Sequence, residues 1–153
     1  MGRVFQLNFR TSDPETGLQE SLTDLSSEDA AFAREIRARY QMHVATLGSA
    51  DLDGILRFFT PDAIWLAAGY PPRIGSSELR ALFAETAHIG SVEVESLYAY
   101  VNQQTGWNIV NYHISPFDRN TAPWTFQTQV TFVRPNATWL ANSVISYTLQ
   151  SEA

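Results

Sequence analysis

The segment Asp51–Glu85 constrains the fold more than any other part of the chain, because its patterns predict helix, strand, loop and helix in close succession. Apolar residues recur at helical spacing in its first part and predict a short amphipathic helix, which Thr60–Pro61 ends. The apolar run 63–68 then predicts a strand that stops at the Gly69–Pro72 turn. The serine pair 76–77 can cap a second amphipathic helix.

A longer helix is predicted before this segment, over residues 28–47. Ser26–Asp29 has the spacing of a capping-box variant, and Gly48 suits a helix end. The stripe expected to face the core contains Phe32, Ile36, Tyr40, Val44 and Leu47. His43 lies beside that stripe and is expected at the surface, as is His88.

The rest of the chain predicts strands. Apolar and polar residues alternate over 92–101, 107–115, 124–132 and 139–149, most clearly in the third of these runs. Three helices followed by a strand meander predict an α+β fold. In it, a cone-shaped, curved antiparallel sheet wraps over the long N-terminal helix and leaves a pocket between helix and sheet.

The chain is expected to form one domain, since its 153 residues are enough to bury a core without disulfides. We expect residues 1–25 to be an N-terminal extension that contains a short edge strand and a polar loop. Residues 26–150 are expected to be the single folded domain.

The predicted helix followed by FFTPDAIWLAAGYPPRIGSSELRALF resembles the nuclear transport factor 2-like superfamily, in its SnoaL-like and ketosteroid-isomerase-like branch. The resemblance extends from about residue 28 onward and implies a cystatin-like α+β barrel with three helices. It also implies a homodimer formed through the outer face of the sheet. For activity, it implies a cofactor-independent isomerase, cyclase or lyase, with an epoxide hydrolase as a weaker alternative.

Only part of the catalytic pattern of ketosteroid isomerases is present in this chain. Tyr40 matches the position of that family's hydrogen-bond-donating tyrosine, which could stabilise an oxyanion. Ala67 stands where the family has its general base, and Thr128 stands near its second oxyanion donor. Because a methyl group cannot abstract a proton, the family's steroid isomerisation mechanism is not expected here.

Other candidate residues follow from the predicted strand faces. His113, alone or together with Asp118, could transfer protons, since imidazole titrates near neutral pH, and Tyr40 would be the acid or oxyanion donor. The alternatives are a histidine on the outer sheet face or at a dimer interface, and a core tyrosine. Asp62, Arg73 and Asp118 are the nearest match to an epoxide-hydrolase set. The expected substrate contacts are Trp65, Ala67, Phe83, Tyr98, Trp124, Phe126 and Thr128.

Composition excludes several functions. The net charge is −6 and every one of the ten basic residues is arginine, which argues against a nucleic-acid surface and excludes Schiff-base chemistry. Cysteine is absent, and the three histidines are too scattered to suggest a metal site, so no cofactor or metal is expected. The sequence has no apolar run long enough to cross a membrane and no persuasive signal peptide, so a cytoplasmic location is expected.

Two functional hypotheses remain open at the level of sequence. In the first, the chain is a small enzyme that isomerises, cyclises or cleaves a hydrophobic cyclic, polyketide-like or terpenoid-like molecule. In the second, it is a non-catalytic module that binds a hydrophobic ligand or dimerises. The absence of both family carboxylates favours the second hypothesis, whereas Tyr40, His113 and the aromatic residues favour the first.

Overall fold

A computed structural model describes residues 2–14, 18 and 22–149 of the chain. Within these residues the order of elements along the chain is strand, two helices, two strands, helix and four strands. The bounds are β1 Phe5–Arg10, α1 Ser27–Ser49, α2 Leu52–Leu56, β2 Phe59–Ala67, β3 Arg73–Ile74, α3 Gly75–Thr86, β4 Gly90–Asn102, β5 Thr105–Pro116, β6 Trp124–Val133 and β7 Leu140–Thr148.

Helix α1 forms as its capping pattern predicts. The Ser26 side chain accepts a hydrogen bond from the Asp29 amide at 3.1 Å and satisfies one of the free donors at the helix start. The helix ends where Ala50 adopts a left-handed backbone conformation, with its amide bonded to the last turn. The expected stripe is buried, apart from Val44, which is only partly covered.

Helix α3 begins differently from the prediction. Its N-cap is Ile74 rather than Ser76 or Ser77, and no side chain caps it by accepting a hydrogen bond from its first turn. Instead, the Glu78 carboxylate reaches back and accepts a hydrogen bond from the Ile74 amide. Gly75, at φ +85°, takes the left-handed conformation that lets the chain pass directly from β3 into the helix.

The seven strands form one curved sheet in the order β1-β4-β5-β6-β7-β2-β3. All neighbouring strands are antiparallel except β2 and β7, which run parallel. The sheet is therefore mixed, whereas the sequence predicted an antiparallel one. In this order β2 pairs with β7, the last strand of the β4–β7 meander. The segment from α1 through α2 to β2 therefore extends the sheet beyond β7 on one side of α1.

Strand β1 makes the expected N-terminal extension part of the core. Its alternate residues Phe5, Leu7 and Phe9 are buried, and the Phe9 ring lies 6.3 Å from the Tyr40 ring on α1. Leu22, in the part expected to be a polar loop, is also buried and belongs to the core. Residues 1, 15–17, 19–21 and 150 of the expected extension and domain lie outside the described residues.

Two bulges decide which side chains face the core. In β4 the pairing register shifts between Ser96 and Tyr98, so that Ala99 and Val101 point inward and Tyr98 points outward. The pairing register of β6 with β7 also shifts, between Thr131 and Phe132 of β6. This shift leaves Asn142 of β7 as an extra residue and changes which β7 side chains face the core. Strict alternation therefore predicts the wrong face for the far half of each strand.

Candidate functional site

A cavity of about 260 Å³ opens between helices α1 and α3 and the inner face of the sheet. Its wall is mainly apolar, and among the described residues that line it none is Asp, Glu, Lys or Arg. The residues that line it come from α1, α3, β2, β4, β5, β6 and β7 and from the loops at the open end of the cone. Such a site excludes water from whatever fills it and offers little to a charged ligand.

Aromatic rings form two opposing parts of this wall. On one side, Trp65 of β2 meets Phe83 of α3 edge to face, with ring centroids 5.6 Å apart. On the other side, Tyr112 of β5 stacks on Phe126 of β6 at 5.0 Å with nearly parallel planes. Trp124, two residues before Phe126 on the same face of β6, also lines the cavity. Flat walls of this kind suit a flat, ring-containing molecule.

His43 lies between the two pairs of rings. Its imidazole is 6.4 Å from the Phe83 ring and 6.2 Å from the Tyr112 ring, in both cases nearly perpendicular. The side chain is only 2% exposed, and its Nδ1 atom has no hydrogen-bond partner among the described residues. Burial, reinforced by the nearby positive charge of Arg39, lowers the pKa of His43 to about 3. The imidazole is therefore neutral at physiological pH.

The sequence contained a signal for His43 that the surface assignment overlooked. Ile36, Tyr40, His43 and Leu47 follow one another at spacings of four, three and four residues along α1. Those spacings keep all four side chains on one face of a helix. Since the other three were expected in the core, His43 had to be buried with them, and the expectation that it lies at the surface was wrong. His88 is exposed, as predicted.

Tyr112 is the second polar group of the cavity wall. It was placed on a strand face with Val110 and Ile114, and all three are buried. Burial raises the pKa of the Tyr112 hydroxyl, so the phenol keeps its proton and can donate a hydrogen bond. A neutral imidazole and a neutral phenol thus line the same otherwise apolar space.

Tyr40 lies deeper than expected, one helical turn before His43. It is fully buried and does not line the cavity, because its ring packs against Phe9, Phe58 and Phe132 at 5.4 to 6.3 Å. Its hydroxyl has no hydrogen-bond partner among the described residues, and burial raises its pKa well above the usual value. Tyr40 thus supports the floor of the site, and its catalytic role stays a prediction.

His113 is on the outer face of the sheet, away from the cavity. Strand side chains alternate between faces, and its neighbours Tyr112 and Ile114 point inward. Its Nδ1 bonds the Thr125 hydroxyl at 2.8 Å, and its Nε2 bonds the Glu95 carboxylate at 3.0 Å. That bond is the main cause that lowers the pKa of Glu95, which also pairs with Arg10 of β1. His113 therefore helps to hold the sheet together at β1, β4, β5 and β6.

Asp118 is likewise distant from the cavity wall. It sits in the exposed loop between β5 and β6 and accepts hydrogen bonds from the Asn120 amide at 2.9 Å and the Thr121 hydroxyl at 3.1 Å. This is the ordinary role of an aspartate that stabilises a turn. The structure does not bring Tyr40, His113 and Asp118 together, because they lie in the core, on the outer sheet face and in a surface loop, and their catalytic roles stay predictions.

The epoxide-hydrolase set is not assembled either. Asp62 is exposed on β2 and is bonded to Thr60 and Asn142, while Arg73 lies on β3. Neither residue, nor Asp118, lines the cavity. A water molecule inside the cavity would therefore have no carboxylate beside it, which this mechanism requires.

Five of the seven expected substrate contacts do line the cavity: Trp65, Ala67, Phe83, Trp124 and Phe126. Tyr98 does not, because the β4 bulge turns it to the outer face, where it is 45% exposed. Thr128 is buried just behind the wall, where its hydroxyl bonds that of Ser146 at 3.1 Å. Ser146 itself lines the cavity, so Thr128 contacts a wall residue without lining the cavity.

Comparison with known proteins agrees with this architecture. The model of the SnoaL-like domain family matches residues 40–137. The chain therefore belongs to the SnoaL-like domain family, within the nuclear transport factor 2-like superfamily. No curated protein matches it.

Solved structures show the same fold at low sequence identity. An NTF2-like protein with a cystatin-like fold from Novosphingobium aromaticivorans is 18% identical, with a TM-score of 0.66 over 93% of this chain and 94% of that one. A ketosteroid isomerase-like protein from Erwinia carotovora is 12% identical, with a TM-score of 0.65 over 77% of this chain and 96% of that one. An NTF2-like protein of unknown function from Pseudomonas putida is 16% identical, with a TM-score of 0.69 over 79% and 89%.

These comparisons confirm the α+β fold class and the family. At such identities they carry no information about the reaction or the ligand. The described part of the chain contains no helix that is long and apolar enough to span a membrane.

Proposed function

We propose that this protein binds an uncharged, ring-containing small molecule in the cavity between α1 and the sheet. The observation that carries the proposal is the cavity itself, which has a volume of about 260 Å³, aromatic walls and, within the described part of the chain, no acidic or basic lining residue other than the neutral His43. A dry apolar cavity of roughly 150 Å³ already holds benzene, so this one has room for a larger ring system. A hydrophobic cyclic, polyketide-like or terpenoid-like compound has the required character.

The ligand is expected to carry an oxygen atom. His43 and Tyr112 both line the cavity, and both are neutral because burial opposes the charged form of each. A polar group buried without a hydrogen-bond partner costs roughly 1–3 kcal/mol, which a carbonyl or hydroxyl group of the ligand would offset. The phenol can donate to such an oxygen, and the imidazole can donate or accept.

Native mass spectrometry of freshly purified protein, compared with the same sample after denaturation, tests this proposal. We expect a small molecule that is bound at one per chain and is released on unfolding, and its mass would define the chemical class. Titration with the uncharged fluorescent probe N-phenylnaphthylamine provides a second test if the cavity is emptied during purification. Failure of the folded protein to retain any small molecule and to bind the probe saturably would refute the proposal.

A second candidate function is catalysis, as a cofactor-independent isomerase, cyclase or lyase, and the position of His43 favours it. A neutral imidazole that lines the cavity next to a phenol can polarise a carbonyl group and exchange a proton with the substrate. With a pKa of about 3, His43 is too weak a base to remove an unactivated carbon-bound proton. Cyclisation or elimination of a substrate that is already activated suits this site better than steroid isomerisation.

The two candidates differ in what a variant of His43 should do. In an enzyme, His43→Gln should bind the co-purified compound but turn it over about a hundredfold more slowly, which is typical for loss of a general acid or base. In a binding protein, the compound should remain unchanged during incubation with either form. Chromatography of the incubated compound, with mass detection, distinguishes the two outcomes.

A further inference from the structure

Two buried hydroxyl groups lie side by side where the cavity wall is formed by β6 and β7. Thr128 of β6 is fully buried, and Ser146 of β7, its partner across the two strands, is only 6% exposed. Their hydroxyl oxygens are 3.1 Å apart and share a hydrogen bond. Ser146 lines the cavity whereas Thr128 does not, so the pair reaches from the core to the cavity wall.

The burial of Thr128 decides which of the two hydroxyls is the donor. Each hydroxyl has one hydrogen to donate, and only one of these hydrogens can lie between the two oxygens. If Ser146 donated, the hydrogen of Thr128 would be left in the core, where Thr128 makes no other side-chain hydrogen bond to a described residue. Because a buried donor without an acceptor is unfavourable, Thr128 donates to Ser146. The hydrogen of Ser146 is then free to point into the cavity.

The space beside Ser146 is open to a ligand. Its neighbour across the pairing of β2 with β7 is Ala67, whose small methyl group leaves room next to the hydroxyl, and both residues line the cavity. The backbone of Ser146 is held in place, since its carbonyl accepts a hydrogen bond from the Ala68 amide at 3.3 Å. Ser146 therefore presents a fixed donor on a part of the wall that is otherwise apolar.

This donor is well separated from Tyr112, the hydroxyl described above on β5. Strand β6 lies between β5 and β7, and the β7 residue in line with Tyr112 is Thr148, two positions nearer the open end than Ser146. At the usual strand spacing and rise, the backbones of Ser146 and Tyr112 are roughly 12 Å apart. The two hydroxyls therefore suit two oxygen atoms at different places on one ligand.

We propose that Ser146 donates a hydrogen bond to the ligand and that Thr128 is the positioning residue that orients its hydroxyl. This inference rests on the proposed binding function and narrows the class of ligand. The ligand is a flat, uncharged ring compound that carries an oxygen atom toward each end. Ser146 binds one of these oxygens, and Tyr112 or His43 binds the other.

The test compares two ring compounds that differ only in their oxygen atoms. The probe is 2,6-naphthalenediol, which has a hydroxyl group at each end, and naphthalene is the same ring system without them. Displacement of N-phenylnaphthylamine measures the affinity for each. Ser146→Ala should bind the diol about fivefold more weakly than wild type does, because one hydrogen bond is lost, and should bind naphthalene equally well. Ser143→Ala removes a serine from the opposite face of β7 and, as the matched control, should change neither affinity.

Variants of Thr128 test its positioning role. Thr128→Val keeps the shape of the side chain but removes the hydroxyl, so the Ser146 hydroxyl loses its orientation. We expect this variant to bind the diol about threefold more weakly and naphthalene as wild type does. Thr128→Ser keeps the hydroxyl and should restore wild-type binding of the diol. Equal changes for the two compounds in Thr128→Val would contradict the positioning role, since they would show an effect on the shape of the cavity alone.

The use of two separate oxygens has its own test. Tyr112→Phe should also weaken binding of the diol, and the double variant with Ser146→Ala should lose the product of the two single factors. A double variant no weaker than either single variant would overturn the assignment of two oxygens.

The remaining failures are distinguishable. Equal affinity of wild type and Ser146→Ala for the diol, with saturable binding of N-phenylnaphthylamine by both, would overturn this inference and leave the binding function intact. Equal weakening of the diol and naphthalene in Ser146→Ala would overturn it as well, because the serine would then only shape the wall. Absence of saturable binding of N-phenylnaphthylamine by the folded wild type would overturn the proposed function and, with it, this inference.

Discussion

The imidazole of His43 stacks on the ring of Phe58, with centroids 4.1 Å apart and planes only 12° from parallel. Phe58 lies between α2 and β2, so this contact joins the long helix to the start of the first strand of the cone. The same imidazole meets Phe59 edge to face at 5.7 Å. His43 is therefore both a part of the core and a part of the cavity wall, which fixes its orientation and keeps it neutral.

The neutral state of His43 should make folding pH-dependent. Its folded pKa, about 3, lies below the usual value of 6.5, so between these values the unfolded chain binds a proton that the folded chain does not. The contribution of the neutral His43 to the free energy of unfolding is therefore complete above pH 6.5, the pKa of the histidine in the unfolded chain, and is lost as the pH falls from there toward the folded pKa of about 3. At about pH 5.5 the loss relative to about pH 7.5 should be about 1.4 kcal/mol.

Urea denaturation of wild type and His43→Phe at both pH values checks this prediction. The free energy of unfolding of His43→Phe should fall less over that range, by the amount assigned to the histidine. His88→Phe, which changes an exposed histidine, is the control and should keep the wild-type pH dependence. Parallel slopes for wild type and His43→Phe would contradict the assignment.

Filling the cavity should abolish ligand binding without unfolding the protein. Ala67 lines the cavity on β2, and Phe in its place would project a ring into the space that a ligand needs. We expect Ala67→Phe to lose saturable N-phenylnaphthylamine binding, with far-ultraviolet circular dichroism unchanged. Ala81→Phe adds the same ring on the exposed face of α3 and should bind as wild type does. Equal binding by both variants would place the ligand elsewhere.

Local patterns predicted the elements well, because each signal lies within a few residues of the structure it specifies. The capping serine and apolar stripe of α1 and the alternation in β6 are examples. The aromatic cavity wall was found for the same reason: Trp65, Phe83, Trp124 and Phe126 occupy inward positions that their own periodicity defines.

Features that depend on distant contacts were missed. The parallel pairing of β2 with β7 joins segments about 80 residues apart, as in Ile64 with Ser143, and no local signal specifies it. The β4 bulge that exposes Tyr98 is set by pairing with β5. The sequence also did not show that Tyr40 and His113 lie apart, because the two were matched by family position and by strand face, and neither criterion measures distance.

Two glycines should respond in opposite ways to replacement by alanine. At Gly106 in β5, an added β-carbon would lie 2.7 Å from the Phe32 ring and 2.8 Å from the Tyr100 carbonyl oxygen. Gly106→Ala should therefore lower the free energy of unfolding by about 1–3 kcal/mol, as overpacking does. At Gly48 in α1 nothing lies within 4 Å of that position, so Gly48→Ala should be stabilising by about 0.5 kcal/mol. Chemical denaturation of the two variants measures the change in the free energy of unfolding of each. A change of the same sign in both variants would contradict the close packing of Gly106 against Phe32.

The outer sheet face carries a band of exposed apolar residues that we propose as the homodimer interface. Ile145 of β7, 48% exposed, pairs across strands with Leu66 of β2, and Ile64 pairs with Ile74 of β3. Adjacent apolar side chains on an exposed sheet face favour burial against a second copy.

We expect sedimentation velocity to show a dimer for wild type and a monomer for Ile145→Glu, because dimerisation would bury the new carboxylate without a partner. Met42→Glu places the same charge on an exposed apolar position of α1 and should leave the dimer intact. A monomeric wild type, or a dimeric Ile145→Glu, would exclude this surface as the interface.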